Sequence, residues 1–425
     1  MLAAGTAAAA GLPTLLSSER ARARSSLPAP EIAAVTLDGG GFLAAVRTNR
    51  PAEVTLQAWP TPHPNAVQRS PWVATNAADV GKMALPLAGT PEQDWSWRAL
   101  VRDPSAPLRG YVEDVIRTVP RRPAPGRASA FRFAFGCCTV RTLGPAFRSL
   151  LDDRPQFLAL IGDLGYPDRP NEWFEIDQDY AGYLEHFSSV LSQDLMRPIL
   201  ASMPVFAMQD DHDYGSDDGD RTSVRGFAAR AFADLVPGGV YPGRNYRSWE
   251  MGQAAFFLTD NRRWKDPEAG PFQNGRYMSV LGSRQRMWLL EGLAASDARV
   301  KFVFIPMTMA WYWSRSESQE LIRFITDHVS GTVIFLSGDK HAGAFARYTP
   351  RVWEFLASPM SNPTKHTTPA RSPAVIWTEN GTGPARSNVY GVVDVDTLKT
   401  QTCTLRLMRE DGVQLHREIV SLRAP

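Results

Sequence analysis

Residues Phe157–Asp168 read FLALIGDLGYPD, and the reading of this stretch decides the fold. Apolar residues run straight into Gly162-Asp163 and then Gly165-Tyr166. A short apolar run closed by glycine reads as a buried strand of a layered sheet. In open α/β sheets, ligands and catalytic groups gather at the carboxyl ends of such strands. A carboxylate placed there is costly unless it is paired or binds a cation, and the adjacent glycine lets another group approach closely. The design recurs. Thr332–His341 reads TVIFLSGDKH, Pro204–Gln209 runs into Asp210-Asp211-His212-Asp213, and Phe131–Phe135 runs into Gly136-Cys137-Cys138. Four apolar runs therefore each end in oxygen, nitrogen or sulfur donors.

Around these runs the chain reads as two or three domains, since 425 residues give ample core. Residues 30–120 hold short alternating segments, EIAAVTL, GFLAAVRT, AEVTLQAW, WSWRALV and YVEDVIRTV, punctuated by Pro and Gly. They predict a small β-sandwich that serves as lid or scaffold; its histidine, His63, sits in the turn-like TPHPN. Residues 121–130, RRPAPGRASA, read as a linker. From 131 to 425 strands alternate with helical segments, which argues for a layered α/β domain. Helices are expected at Tyr180–Leu195, Arg284–Leu293 and Glu317–Val329, and strands at Ala254–Thr259 and Val300–Pro306. Residues 390–420 return to β pattern, with Asp411-Gly412 as a hairpin turn.

Composition excludes several classes. With 44% hydrophobic and 21% charged residues the chain is globular, and a net charge of +2 gives no reason to expect a nucleic-acid partner. No apolar run is long enough for a transmembrane span. Residues 1–16 are small and apolar, and Ala21-Arg22-Ala23 is an A-x-A site, so residues 1–29 read as a signal-like leader. The expectation is export to the periplasm or the extracellular space, with the cationic region upstream; an Ala-rich tail is the alternative. Three cysteines, Cys137, Cys138 and Cys403, make no disulfide framework. Adjacent cysteines rarely bridge because the ring is strained, and free cysteine is ordinarily a small core residue.

Brought together, the donors are the Cys138 thiol, the Asp163 carboxylate, the Tyr166 phenol, the Asp211 or Asp217 carboxylate, the Asp339 carboxylate and the His341 imidazole. Sulfur, phenolate and imidazole favour a transition metal such as iron or zinc, and an all-oxygen remainder favours calcium, manganese or magnesium. Asp163 can bridge, because a carboxylate has two oxygens. A cation pair about 3.5–4 Å apart stabilises attacking and leaving oxygens in phosphoryl transfer and generates hydroxide near neutral pH. Arg262 or Arg263, after the run AAFFLTD, is the candidate for the substrate's anionic charge.

The order FAFGCC, IGDLGY, DDHDYG and LSGDKH resembles the alkaline-phosphatase-D-like branch of the calcineurin-type metallophosphoesterases. The TDNR segment, the GSRQRMWLLEGL helix and the late VWEFLASP strand resemble that branch too, so coverage runs from about residue 30 to the end. The resemblance implies a four-layer αββα core behind a small β-sandwich. It implies that Cys138, Asp163, Tyr166 and His341 hold Fe3+ while Asp163 and Asp339 share in a Ca2+ site, with Mn2+, Mg2+ or Zn2+ as alternatives there. It implies hydrolysis of phosphate mono- or diesters and export by the twin-arginine route. Three residues depart from the family pattern: Gln209 stands for Trp, Ser216-Asp217 for the Asn that binds the second metal, and Gly-Cys-Cys for Gly-Ser-Cys. Asp217 is accordingly expected to replace the amide ligand, Cys138 to be the sulfur ligand, and Cys137 to pack.

The expected reaction is in-line attack by bimetal-activated hydroxide on a phosphate ester, with Arg262 stabilising the charge. His212 either donates a proton to the leaving group or holds Asp211, itself a candidate catalytic residue. The alternatives are a phosphodiesterase or phospholipase-D-type activity, and a binding protein with a degenerate second metal site.

Overall fold

Alternation of buried and outward residues makes the first third of the chain strand-forming. The computed structural model describes residues 27–38, 41–86, 92–169, 177–239, 242–267, 279–310, 315–362, 372–379 and 387–422. Residues 1–26 of the leader expected at 1–29, and with them the expectation of export, lie outside the described residues. Strands β1 (Pro30–Asp38), β2 (Gly41–Thr48), β3 (Glu53–Pro60), β4 (Gln68–Arg69), β5 (Val73–Ala74), β6 (Val80–Pro86), β7 (Trp95–Arg102), β8 (Val112–Glu113) and β9 (Arg117–Val119) form two sheets. One has the order β1-β2-β6; the other runs β4-β3-β7-β8, with β5 on β3 and β9 on β7. Phe42, Trp95 and Trp97 fill the space between them, Phe42 meeting Trp95 edge-on at 6.4 Å. The segment YVEDVIRTV reads as one strand but folds as two. Asp114 accepts a hydrogen bond from the next backbone N–H, Val115, at 2.7 Å, and pairs with Arg117, which turns the chain between β8 and β9.

The second part begins with β10 (Ala130–Gly136), β11 (Thr139–Val140), α1 (Ala146–Asp152), β12 (Leu158–Ile161), β13 (Leu164–Gly165), α2 (Tyr180–Leu191), α3 (Met196–Ser202), β14 (Val205–Met208), α4 (Asp211–Tyr214) and α5 (Gly226–Leu235). It continues with β15 (Arg247–Met251), β16 (Ala254–Leu258), α6 (Gly282–Ala295), β17 (Val300–Met307), α7 (Arg315–His328), β18 (Thr332–Gly338), β19 (Gly343–Thr349), β20 (Val352–Ala357) and β21 (Val375–Thr378). It closes with β22 (Val389–Asp396), β23 (Thr402–Arg409) and β24 (Gln414–Ser421). One sheet has the order β14-β12-β10-β22-β23-β24 and the other β15-β16-β17-β18-β20-β19-β21. Strands β10, β12 and β14 are parallel, and so are β16, β17, β18 and β20, so their carboxyl ends share an edge within each sheet.

An aromatic layer joins the sheets face to face. Phe133 stacks on Phe157 at 4.8 Å and meets Phe302 at 5.0 Å and Phe256 at 5.5 Å across the gap. Phe147, Phe187, Ile199 and Phe232 of α1, α2, α3 and α5 cover the outer face of the first sheet, against Leu158, Leu160 and Val205. Leu289, Leu293, Leu321 and Ile325 of α6 and α7 cover the second, against Val303, Val333 and Phe335. The layer order is αββα. The N-terminal sheets join this body through Ile32, Ala34 and Ala45, and through Lys82 Nζ, which donates to the Gly239 carbonyl at 2.8 Å. No described helix is long and apolar enough to cross a membrane.

One helix differs from its periodicity. The pattern at Tyr180–Leu195 predicts a single helix, but α2 ends at Leu191 and α3 starts at Met196. Pro198 has no N–H, so it fits only in a first turn, and the helix restarts just before it. At the other end Asp179 caps α2, accepting from Gly182 N at 2.9 Å.

Phe133→Ala removes the ring on which four others meet, and the expected loss is about 3–5 kcal/mol in denaturant unfolding. A loss below about 1 kcal/mol would show that the two sheets do not share a packed core there.

Candidate metal centre

The loops after β10, β12, β14 and β18 converge. Of eight described non-glycine residues with positive φ, four are Cys138 (58°), Asp163 (58°), Tyr166 (57°) and Asp339 (63°). Non-glycine residues seldom adopt this conformation, and they persist in it where surrounding contacts impose it. Here each reverses the chain just past a strand and turns its side chain into one space. Hydrogen bonds clamp the first two loops in register: Cys138 N donates to Gly162 O at 3.1 Å and Thr139 N to Asp163 O at 2.9 Å, before β11 pairs with β13. Gly162 has φ +107°, and a Cβ there would stand 2.5 Å from Asp210 Cβ, so only glycine lets the Asp163 and Asp210 loops touch.

Asp213 ties those two loops together. Its carboxylate accepts from Asp163 N at 2.7 Å, Leu164 N at 2.8 Å and Asp210 N at 2.9 Å. Burial raises its pKa to about 7 against these donors. His186 donates from Nε2 to Gly165 O at 2.9 Å and so supports the turn that carries Tyr166. Its burial lowers the pKa to about 4 and keeps the ring neutral. On the opposite sheet, Gln285 of α6 grips the Asp260 peptide, donating to its carbonyl at 2.8 Å and accepting from its N–H at 2.7 Å. That grip positions the turn carrying Arg262.

Three donor groups result, each with its ligand atoms within 4.8 Å of one another: Cys138, Asp163 and His341; Asp163, Asp211 and His212; and Asp163, Asp210, Asp211 and Asp339. Asp163 belongs to all three. Cys138 Sγ lies 3.5 Å from Asp163 Oδ2, and the Tyr166 hydroxyl lies 2.9 Å from His341 Nε2. Burial, followed by the charge of Cys138 and the neighbouring aspartates, pushes the Asp163 carboxyl well above the carboxylate range. Burial likewise raises Asp339, Cys138 and Tyr166. One oxygen of each of Asp163, Asp210, Asp211 and Asp339 is buried without a hydrogen-bond partner. Four orphan carboxylate oxygens around one space are costly on their own and are the expected partners of cations. The donor set fits: sulfur, phenol and imidazole on one side of Asp163, carboxylates on the other.

Two expected residues stand elsewhere than anticipated. Arg262 is fully buried, so it offers no face to a substrate. Its Nε donates to Asp210, and its Nη2 lies 3.2 Å from Asp339 and 3.5 Å from Asp211, so its charge is used inside the carboxylate group. Asp217 is not brought into any donor group. Its side chain is 66% exposed and pairs with Arg169 at 2.9 Å and His212 Nε2 at 3.4 Å. The turn at Asp218 (φ 53°) holds the loop by donating its N–H to Asp211 Oδ2 at 2.6 Å, which leaves Asp217 facing solvent. Asp210 supplies the carboxylate instead. Gln209 lies behind the centre, accepting from Asn245 at 3.2 Å, and removes no donor.

His212 lies at the mouth. Its Nδ1 is 3.0 Å from both oxygens of Asp168, the pair is nearly buried, and its ring packs 4.3 Å from that of Tyr166. Burial alone lowers its pKa, but the Asp168 hydrogen bond and the charges of Asp211 and Asp168 outweigh it and raise the value to about 9. Reading the sequence did not single out Asp168, Asp210 or Asp213. The available signal was the density of aspartates in the two loops, Asp163 to Asp168 and Asp210 to Asp213.

A family model described as PhoD-like phosphatase matches residues 133–404. The chain belongs to the PhoD-like phosphatase family. It is a phosphoric ester hydrolase. A solved structure described as PhoD superposes with a TM-score of 0.73 at 16% identity, covering 92% of this chain and 89% of that one. The purple acid phosphatase PPD1 from yellow lupin (Lupinus luteus) seeds superposes at 0.68 and 11% identity, covering 93% of this PhoD-like chain and 74% of its own. These likenesses show the shared fold. A comparison with curated proteins gave no match.

Asp213→Asn replaces one acceptor oxygen with an NH2 that faces backbone N–H donors. The expected cost is roughly 2 kcal/mol of stability with a tenfold or larger loss of metal affinity. Thermal unfolding and equilibrium dialysis with metal check it; unchanged affinity would show that the two loops align without this carboxylate.

Proposed function

We propose that the protein hydrolyses phosphate esters at two cations that share Asp163. Cys138, Asp163, Tyr166 and His341 are suited to hold a transition-metal ion, Fe3+ by the chemistry of the set. Asp163, Asp210, Asp211 and Asp339 are suited to a harder ion, Ca2+, with Mn2+, Mg2+ or Zn2+ as alternatives. The observation that carries this reading is the presence of Asp163 in every donor group, with unpartnered oxygens around it. Cations there would neutralise the phosphate charge and lower the pKa of a water to make it a nucleophile.

The chain's own residues supply the rest. Asp168 fixes the orientation of His212 through Nδ1, which leaves Nε2–H as the ring's outward donor. With a pKa near 9 the imidazolium persists at neutral pH and gives a proton to the departing alkoxide. Arg262 lies against Asp210, Asp211 and Asp339, offsets part of their charge and holds them in place. Asp163→Asn is expected to lower p-nitrophenyl phosphate hydrolysis roughly a thousandfold and to reduce bound metal in elemental analysis. Near wild-type turnover would sink the proposal.

Asp168→Asn tests the proton donor separately. Turnover of an alkyl phosphate, whose leaving group needs a proton, should fall about 100-fold, but turnover of p-nitrophenyl phosphate less than about tenfold. Equal losses on both esters would assign His212 to holding Asp211 instead.

A further inference from the structure

Successive side chains on a strand point to opposite faces, so adjacent cysteines normally hold their sulfurs apart. Here they do not. Strand β10 ends at Gly136, and the positive φ of Cys138 turns its side chain to the side of Cys137. The two Sγ atoms stand 3.2 Å apart. Both residues are buried, and Cys137 Sγ is wedged against Gly338, where a Cβ would lie 2.5 Å from it. Cys137 is thus confined to a position facing the candidate sulfur ligand, with the Asp339 turn behind it. It belongs to no donor group of the centre.

We propose that Cys137 and Cys138 are an oxidative modification site, a vicinal dithiol that closes to a disulfide and thereby removes the Cys138 sulfur from the metal centre. The oxidant is a hydroperoxide. One thiol attacks the peroxide oxygen, giving a sulfenic acid and one water; the second thiol displaces the hydroxyl from that sulfur, forming S–S and a second water when the oxidant is hydrogen peroxide. The two sulfurs lose two electrons and the O–O bond gains them. Closure brings the sulfurs from 3.2 Å to about 2.05 Å within one loop. A bond between neighbouring residues is strained and readily reduced, which makes the modification reversible by thiols. A bound ion blocks the reaction by occupying the Cys138 sulfur. Loss of the ligand in this way rests on the reading of Cys138 as a metal ligand.

The experiment treats the full-length, metal-free protein with hydrogen peroxide. Thiols are then titrated in denaturant, peptides are mapped by mass, and uptake of zinc ion alone is measured. Of three cysteines, the titre should fall from three to one, with Cys403 still free and the peptide carrying both neighbours lighter by two hydrogens. Zinc uptake should weaken at least about tenfold and recover with dithiothreitol. Cys137→Ser should retain zinc uptake and lose the peroxide sensitivity; Cys403→Ser should retain both behaviours. Protein loaded with zinc beforehand should keep its thiols. An unchanged titre, a bridge to Cys403 or between chains, or equal sensitivity in Cys137→Ser would overturn the proposal. If the disulfide forms but zinc uptake is unaltered, the ligand assignment of Cys138 fails and the claim that oxidation disarms the centre fails with it. Turnover of p-nitrophenyl phosphate by the reduced, metal-loaded enzyme reports the hydrolase reading independently.

Discussion

Crowding of buried acidic side chains around one space is the constraint on which the structure depends. Asp163, Asp210, Asp211 and Asp339 converge with Cys138 and Tyr166 in a region where every one of them is nearly removed from water. Arg262 offsets part of that charge and no more, since an oxygen on each of the four carboxylates lacks a hydrogen-bond partner. Such an arrangement is unfavourable by itself and becomes favourable when cations fill it. The rest of the fold holds the anions close against their mutual repulsion. The aromatic layer between the two sheets makes the strands rigid, and parallel strands bring their carboxyl ends to one edge.

Strain and hydrogen bonding divide the positioning between them. Left-handed turns at Cys138, Asp163, Tyr166 and Asp339 aim the donors. The Asp213 carboxylate fixes the turns that carry Asp163 and Asp210, and the Gln285 amide fixes the turn that carries Arg262. At the mouth the logic inverts, because Asp168 makes a charged imidazole stable where burial alone would leave it neutral. Anion surplus inside and a proton-bearing His212 at the rim together suit the cleavage of a phosphate ester, the chemistry of the family to which the chain belongs.

The thiol pair adds a second property to the same loop. Cys137 is buried in the core between the sheets and faces the one sulfur donor among the grouped residues. On the proposal that Cys138 holds a metal, closure of the pair couples metal content to the redox state of the surroundings.

Much of this was legible in the chain itself. Largely apolar runs at Phe131–Phe135, Phe157–Ile161, Pro204–Met208 and Thr332–Leu336 give strands because burial on both faces demands apolar residues, and Gly136, Gly162 and Gly338 mark the ends of three of them. The donor-bearing loops followed, as did the helices at α6 and α7, from local periodicity alone. What local pattern does not contain is which neighbours a charged side chain meets. Arg262 looks like an exposed phosphate binder from its place after a strand, but the loops after β14 and β18 surround it with aspartates. Asp217 looks like a ligand from its spacing, but the turn at Asp218 rotates it to solvent and leaves Asp210 in the group. Asp168 and Asp213 were set by the way separate loops dock. Strand, turn and donor type depend on residues a few positions apart, which the sequence determines; the pairing of Arg262 with Asp339 and the contact of Cys138 with Asp163 depend on residues 25 or more positions apart, which only the folded chain brings together.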